Sequence, residues 1–287
     1  MSLGPLVSIG IPVYNSDNTI AACLRSVLNQ SYGNIEVIVS DNCSTDKTAR
    51  ICKDFENLDS RISLVVQREN IGPAANFDFV LSRSTGSYFM WIAADDAKSE
   101  DFVALNLEFL EGNPDFLAST CPNRFDAPEG ETQSWEMLAL NGGQRSRIVE
   151  FLGNAERSHG LFYSLFRTET LKGYPWFGIN FLAWDWLLLF YFALNWRFNR
   201  TSTGSLILGT KGQSAKANAL ALAGVTGIKN LWPLSKFTIL ATKTLLRICP
   251  GNIGAATRGL WRLNYLFFKH QYFRMKHGLK YLNTRNS

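Results

Sequence analysis

Beyond Asp185 the chain has no acidic residue. All 24 Asp and Glu lie at or before that position, against 14 Lys and Arg, a balance of −10. The last 102 residues carry 15 basic side chains and nothing of opposite sign. That division implies two regions with different electrostatic partners. Cysteine is sparse, with five residues (Cys23, Cys43, Cys52, Cys121 and Cys249), an odd number without a CxxC pair. No basic segment followed by an apolar stretch opens the sequence, so no signal peptide is expected. Both features fit a reduced, cytoplasmic setting. The longest apolar run, Trp186–Leu194, is about half the roughly 20 residues that a membrane-crossing helix needs. No GxGxxG follows the first predicted strand, which argues against a dinucleotide-binding dehydrogenase. Also missing are the GxxxxGK[ST] of P-loop NTPases and the GxSxG nucleophile elbow. No internal repeat is present.

What is there reads as an α/β pattern. At 287 residues and 46% hydrophobic, the chain can bury a substantial core in one large domain or two small ones. Leu6–Val13 is rich in β-branched residues and predicts a buried strand. Asn15, Ser16 and Asp17 are capping residues, and Ile20, Leu24, Val27 and Leu28 follow at helical spacing until Gly33. Ile35–Ser40, Ile62–Val66, Tyr88–Ala93 and Phe116–Thr120 repeat the strand pattern. Between them the spacing predicts helices after a capping Asp46, over Pro73–Ser82 and over Asp101–Glu111. Strands alternating with helices through short connections imply right-handed βαβ units and a mostly parallel sheet. Residues 123–143 predict an irregular loop or edge hairpin. A helix near Ile148–Arg157, a strand over Leu161–Phe166 and a helix over Asp185–Asn195 follow. Gly204–Ala223, rich in Gly, Ser and Ala, reads as a flexible loop or lid, or as disorder.

The unusual polar residues fall where the predicted strands end. In an open parallel sheet, ligands bind outside the carboxyl ends of the strands. The first strand runs into Pro12-Val13-Tyr14-Asn15, the second into Asp41–Asp46, the third into Asn70-Ile71-Gly72 and the fourth into Asp95-Asp96. Adjacent carboxylates repel one another unless a cation or hydrogen bond intervenes. Hard oxygen ligands suit Mn²⁺ or Mg²⁺, which bind through one or two carboxylates plus substrate phosphates. Such an ion neutralises charge building on a leaving diphosphate. The plain alternative is that Asp95 and Asp96 are solvated turn or cap residues. Asp41 can accept a hydrogen bond from a base N–H or simply form a turn, and Asn70 and Gly72 have the same two readings.

Taken in order, VSIGIPVYNS, VSDNCSTDKT, ENIGPAANF and WIAADD resemble the family 2 glycosyltransferases of the GT-A fold. The resemblance is close over roughly residues 5–120 and extends more weakly to about Trp186. It implies a Rossmann-like, mostly parallel sheet flanked by helices, and an inverting transfer from a nucleotide-diphosphate sugar, most often UDP-linked. It also implies that Pro12, Tyr14, Asn15 and Asp41 cradle the nucleoside, with Asn70, Gly72 and Asn76 nearby. Asp95 would serve ribose or diphosphate, and Asp96 the metal. Ala93 stands where many members carry a further Asp. In the family a carboxylate 80–100 positions later deprotonates the acceptor hydroxyl. Asp185, 90 residues past Asp95, matches that base, with Trp-Asp where relatives often have Glu-Asp. Trp184 and Trp186 could stack on a sugar and partly desolvate it. A helix-cap role is the alternative, and Glu150, Glu156 and Glu169 are the other base candidates. His159 lies in a segment that faces the acceptor in relatives.

Between residues 228 and 287 there are 11 Lys/Arg, no acid, and large apolar residues such as Trp232, Phe237, Trp261 and Phe268. Basic residues interleaved with aromatic and aliphatic ones at helical spacing describe helices lying on an anionic membrane surface. A helical subdomain packed on the core is the alternative. Nucleic acid is not expected, because no recognised binding module precedes the tail. The expected organisation is a GT-A domain over residues 1–225, in which residues 1–122 bind the nucleotide and residues 123–225 meet the acceptor. A basic amphipathic helical extension over 226–287 completes it. The expected function is metal-dependent glycosyl transfer to a glycan or lipid-linked acceptor in cell-surface polysaccharide synthesis, peripheral on the inner face of the plasma membrane. A catalytically silent scaffold and a nucleotidyltransferase are the competing classes.

Overall fold

The computed structural model describes residues 4–126, 134–175, 183–210 and 234–283, with side chains described as far as residue 269. Three βα steps and a fourth strand open the chain: β1 (Val7–Val13), α1 (Ile20–Leu28), β2 (Ile35–Asp41), α2 (Thr48–Leu58), β3 (Ile62–Val66), α3 (Pro73–Arg83) and β4 (Tyr88–Trp91). Then come β5 (Ala97–Lys98), α4 (Phe102–Gly112), β6 (Phe116–Thr120), β7 (Asn123–Phe125) and α5 (Gln144–Gly153). The remainder is α6 (His159–Phe162), β8 (Leu165–Arg167), α7 (Thr168–Lys172), α8 (Trp184–Ala193), β9 (Arg197–Arg200), β10 (Leu206–Leu208), α9 (Ser235–Ile248) and α10 (Ile253–Asn283).

The large sheet has seven strands in the order β3-β2-β1-β4-β8-β6-β9, and only β8 runs antiparallel to its neighbours. β5, β10 and β7 form a small second sheet. Alternation along each strand sets the layers. In β4, Tyr88 and Met90 face one core cluster with β1 and α1, while Phe89 and Trp91 face the other with α3, α5 and α8. Trp91 is fully buried, its ring stacked on Phe162 with centroids 4.9 Å apart and its Nε1–H donating to the Phe77 carbonyl at 3.0 Å. The second cluster continues into Phe237, Ala241, Leu245, Ala256, Leu260 and Leu263, so α9 and α10 share the core formed by α3, α5 and α8.

Three expectations change. Leu161–Phe166 is not one strand: α6 occupies its first half, closed by the Leu161 N–H on the Ser158 carbonyl at 2.9 Å, and pairing begins only at Leu165. The expected helix near Ile148–Arg157 starts earlier, at Gln144, and breaks after Gly153 into a single 3₁₀ turn, Ala155–Arg157. Within the expected lid, Leu206–Leu208 is a strand, held by β7 on one side and β5 on the other. The rest of that lid, from residue 211, lies outside the described residues, as does the stretch 127–133 of the expected loop.

One partly buried polar knot ties the amino ends of β1, β2 and β4. Glu36 Oε1 accepts the Ser8 hydroxyl at 2.5 Å, the Thr85 N–H at 2.7 Å and the Gly86 N–H at 3.2 Å. Burial opposes its ionisation, but these donors win and hold the carboxyl below its ordinary pKa. A depressed acid stabilises the fold at neutral pH and loses that contribution as pH falls through its folded value. Glu36→Gln is therefore expected to cost about 2 kcal/mol at pH 7. Urea unfolding should show the gap closing as pH drops below about 4.

Candidate active site at the carboxyl edge

The turn after β2 is built around Asp41. Its carboxylate is fully buried, with Oδ2 accepting the Ser44 N–H at 3.0 Å and Oδ1 the Ser44 hydroxyl at 2.5 Å. Ser44 Oγ in turn accepts the Asn15 N–H at 2.9 Å, and Asn15 Oδ1 accepts the Thr45 N–H at 2.8 Å. The β1 and β2 loops are thus sewn together, with Pro12 buried in β1 and Tyr14 half-buried beside them. Asp46 Oδ1 takes the Thr48 N–H at 2.9 Å where α2 opens. From the β3 loop, Asn70 Oδ1 accepts Asn42 Nδ2 and the Gly72 N–H, both at 2.9 Å. Gly72 has φ 84°, a conformation that favours glycine, and Pro73 follows as the first residue of α3. Asn76 is drawn away from solvent instead: Oδ1 accepts the Ser40 hydroxyl at 2.6 Å and Nδ2 donates to the Ser40 carbonyl at 3.0 Å.

Beyond β4 the acid pair splits. Asp95 is half-buried, whereas Asp96 is only 4% exposed. Asp96 Oδ1 accepts the Gly209 N–H at 2.8 Å and Oδ2 the Ala93 N–H at a long 3.4 Å. Burial pushes the Asp96 carboxyl well above the carboxylate range; the Gly209 N–H pulls it back, Asp95 adds to the rise, and Lys98 opposes it. Lys98 is buried too, and burial lowers its amine. Its Nζ donates to the Tyr163 carbonyl at 2.7 Å and lies 3.7 Å from the Phe102 ring centre.

Asp185 arrives from the first turn of α8. Burial raises its pKa, while the charge of His159 and the Trp186 N–H pull it down. Tyr163 ties the two halves: burial first, then the charges of Asp96, Asp185 and Asp95, raise its hydroxyl far above normal. Asp95 and Asp96, and Asp185 90 residues further on, thus bear electrostatically on one half-buried tyrosine. His159 stands edge-on to Phe125, with ring centres 5.3 Å apart. Trp184 meets Phe77 and Phe162 at 5.5 and 5.4 Å. Trp186 is not brought to this edge, being buried against Phe237 and Phe267 of the C-terminal helices. Of the other base candidates, Glu156 is paired with Arg262 at 2.7 Å, Glu169 is exposed on α7 and Glu150 is half-buried on α5.

Backbone strain collects in the same place. Among the described residues, the non-glycine positions with positive φ are Asn15 (47°), Cys43 (61°) and Ala183 (66°). One is a candidate itself, and the other two lie within two residues of Asp41 and Asp185. Such conformations cost on the order of 1 kcal/mol or more and gather at functional sites.

Among the described residues no three His, Cys, Asp or Glu gather as a ready-made metal cage. The donor set still suits a hard divalent cation that keeps positions for water and phosphate, because Asp95 and Asp96 offer oxygens alone. A buried carboxylate resisting ionisation also gains from a cation beside it. Sequence reasoning missed Lys98, Tyr163 and Gly209. Lys98, two residues past the acids, was visible as a charge but its burial was not. Gly209 is a contact across 113 residues, hidden in a Gly-rich stretch.

An acid-lined carboxyl edge on a sheet of this order is the GT-A arrangement, the fold of nucleotide-sugar transferases. The chain belongs to glycosyl transferase family 2, whose family model matches residues 8–172. It is 39% identical over 106 residues to TuaG of Bacillus subtilis, named a putative teichuronic acid biosynthesis glycosyltransferase, covering 37% of this chain and 42% of that protein. The match spans less than half the length of such curated relatives. In fold it resembles S. aureus TarS 1–349 in complex with UDP-GlcNAc, with TM-score 0.68, 18% identity, and coverage of 88% of this chain and 71% of that one. It also resembles the Pyrobaculum calidifontis mannosyltransferase PcManGT in complex with GDP-Man and Mn²⁺, with TM-score 0.56, 19% identity, and coverage of 89% and 74%.

A Cβ on residue 209 would lie 2.3 Å from both the backbone oxygen and Oδ2 of Asp95. Gly209→Ala is expected to lift this segment off the acid pair and to lower unfolding free energy by about 1–3 kcal/mol. Adding Asp95→Ala should recover some of that loss in a urea double-mutant cycle, whereas strict additivity would refute the close approach.

Proposed function

We propose that this protein is an inverting, metal-dependent glycosyltransferase that moves a sugar from a UDP-linked donor to a glycan or lipid-linked acceptor in cell-surface polysaccharide synthesis. The observation that carries the reading is the carboxyl edge itself, where Asp41 closes β2 against Ser44 and the Asp95-Asp96 pair follows β4 beneath the Gly209 N–H. Relatives named for teichuronic and teichoic acid biosynthesis, and a fold neighbour holding UDP-GlcNAc, support it.

In this reading residues 1–122 hold the donor, residues 123–225 meet the acceptor, and 226–287 form the basic extension. Asp41 accepts from the base, with Pro12, Tyr14 and Asn15 on one side and Asn70, Gly72 and the buried Asn76 on the other. Asp95 faces ribose or diphosphate, and Asp96 holds Mn²⁺ or Mg²⁺. A bound ion of that kind neutralises the leaving diphosphate. Asp185 takes the proton of the acceptor hydroxyl as that oxygen attacks the anomeric carbon, with His159 and Trp184 beside it. Burial raises its proton affinity toward the working pH, as a general base requires.

The same reading places the enzyme on the inner face of the membrane. No helix among the described residues is long and apolar enough to cross a bilayer. The outer faces of α9 and α10 instead expose Ile239, Leu246, Trp261, Tyr265 and Phe268 among cations.

Isothermal titration with UDP, with and without Mn²⁺, separates this enzyme from a silent scaffold, which would show no metal-dependent binding. Asp96→Ala should abolish turnover. Asp185→Asn should keep UDP affinity while kcat falls about a hundred- to ten-thousandfold. Since a base acts deprotonated, kcat/KM should rise with pH along a limb centred above the usual aspartate value of about 3.9, and Asp185→Asn should erase that limb. Full activity in either variant would remove that residue from its role.

A further inference from the structure

Helix α9 buries Phe237, Ala241 and Leu245 against the core. At 100° per residue the opposite face carries Lys236, Ile239, Lys243 and Leu246. Ile239 and Leu246 are 55% and 50% exposed. Arg247 lies one turn beyond Lys243. Among the described residues neither Lys243 nor Arg247 has an ion pair or hydrogen-bond partner. No acid occurs anywhere after Asp185 to supply one locally.

Both cations line a cleft of about 490 Å³ between the end of α8 and α9. Tyr191 and Asn195 bring a hydroxyl and an amide from the α8 side, and Leu240 and Ile248 bring apolar surface. A free inorganic anion would use the cations and leave that surface wet. An amphiphile with a phosphate head uses both. Arg presents a planar fork that matches phosphate oxygens, and Lys supplies a point charge next to it.

We propose that this cleft binds the phosphate head of an anionic membrane lipid, Lys243 and Arg247 taking the oxygens and Leu240 and Ile248 the start of the acyl chain. The flanking Ile239 and Leu246 enter the interface beside it, as on helices that lie in the plane of a bilayer. On the other side of α9, a groove of about 330 Å³ lined by Thr238, Thr242 and Trp261 leads to the stacked Trp261–Tyr265 pair, whose ring centres are 5.5 Å apart. The inference rests on the membrane reading above and gives it a specific site.

The test sediments the full chain with phosphatidylcholine vesicles, with and without phosphatidylglycerol, at 0.15 M salt. Generic attraction contributes about fivefold in partitioning per cation, wherever on the surface it sits. Lys243→Gln with Arg247→Gln is compared with Arg258→Gln with Lys269→Gln, a charge-matched pair exposed on α10. The cleft pair should lose at least tenfold more binding than the α10 pair. Equal losses would overturn the cleft and leave the membrane reading standing; no binding by the unaltered chain would overturn both. Titration with soluble short-chain phosphatidylglycerol, followed by NMR, should saturate in the parent chain and be lost in the cleft variant. Equal affinity for inorganic phosphate would overturn the assignment to lipid. Arg247→Gln alone serves if the double variant does not fold: it should lose at least fivefold more binding than Arg258→Gln, and equal losses would refute the site.

Discussion

A carboxylate placed under a closing segment must be met by donors, and the Asp96–Gly209 contact satisfies that constraint at the end of β4. Its N–H comes from a chain segment 113 residues later, which fixes the small β5-β10-β7 sheet against the large one. The neighbouring bonds reinforce it: Ser99 N–H to the Ser205 carbonyl at 3.0 Å, and Ser205 N–H to Ser99 Oγ at 2.9 Å. A lost partner for a buried ionisable oxygen costs on the order of 1–3 kcal/mol. The acids can therefore stay at the sheet edge only while the chain folds back over them. The large sheet and the small one are thereby made one unit.

Helix α8 joins that unit to the rest of the chain. Its first turn delivers Asp185. Its middle, Leu187–Phe190, is buried all round, as expected of a helix with no polar face. Its end forms one side of the cation-lined cleft. Because α9 and α10 pack their apolar faces on this helix and on α5, the basic region does not hang from the enzyme. It continues the same interior, while its own outward face keeps the charges and aromatic rings.

How much of this the sequence carried depends on the range of the interactions. The strand–helix alternation through Thr120 is legible because each element buries a face of fixed period, and Asp41, Asn70, Asp95 and Asp96 could be placed at the strand ends by counting. Leu161–Phe166 misled because an apolar run satisfies a short helix as well as a strand, and only the tertiary partner decides. Leu206–Leu208 was hidden because a three-residue strand owes its pairing to Asn123–Phe125, some 80 positions away. Trp186 looked like a sugar platform from its neighbour in sequence; its surroundings come from α9 and α10, which no local pattern reveals. The burial of Lys98 and its bond to the Tyr163 carbonyl belong to the same class of long-range facts.

Cations gathered on α9 and α10, with no acid between them in sequence, give the folded molecule one electropositive face. Near a negatively charged surface such a body feels a torque before it touches anything, turning its cationic helices forward. In physiological salt the field decays within about 8 Å. The alignment is therefore set in the last nanometre of approach, by the whole charge distribution and not by any single residue.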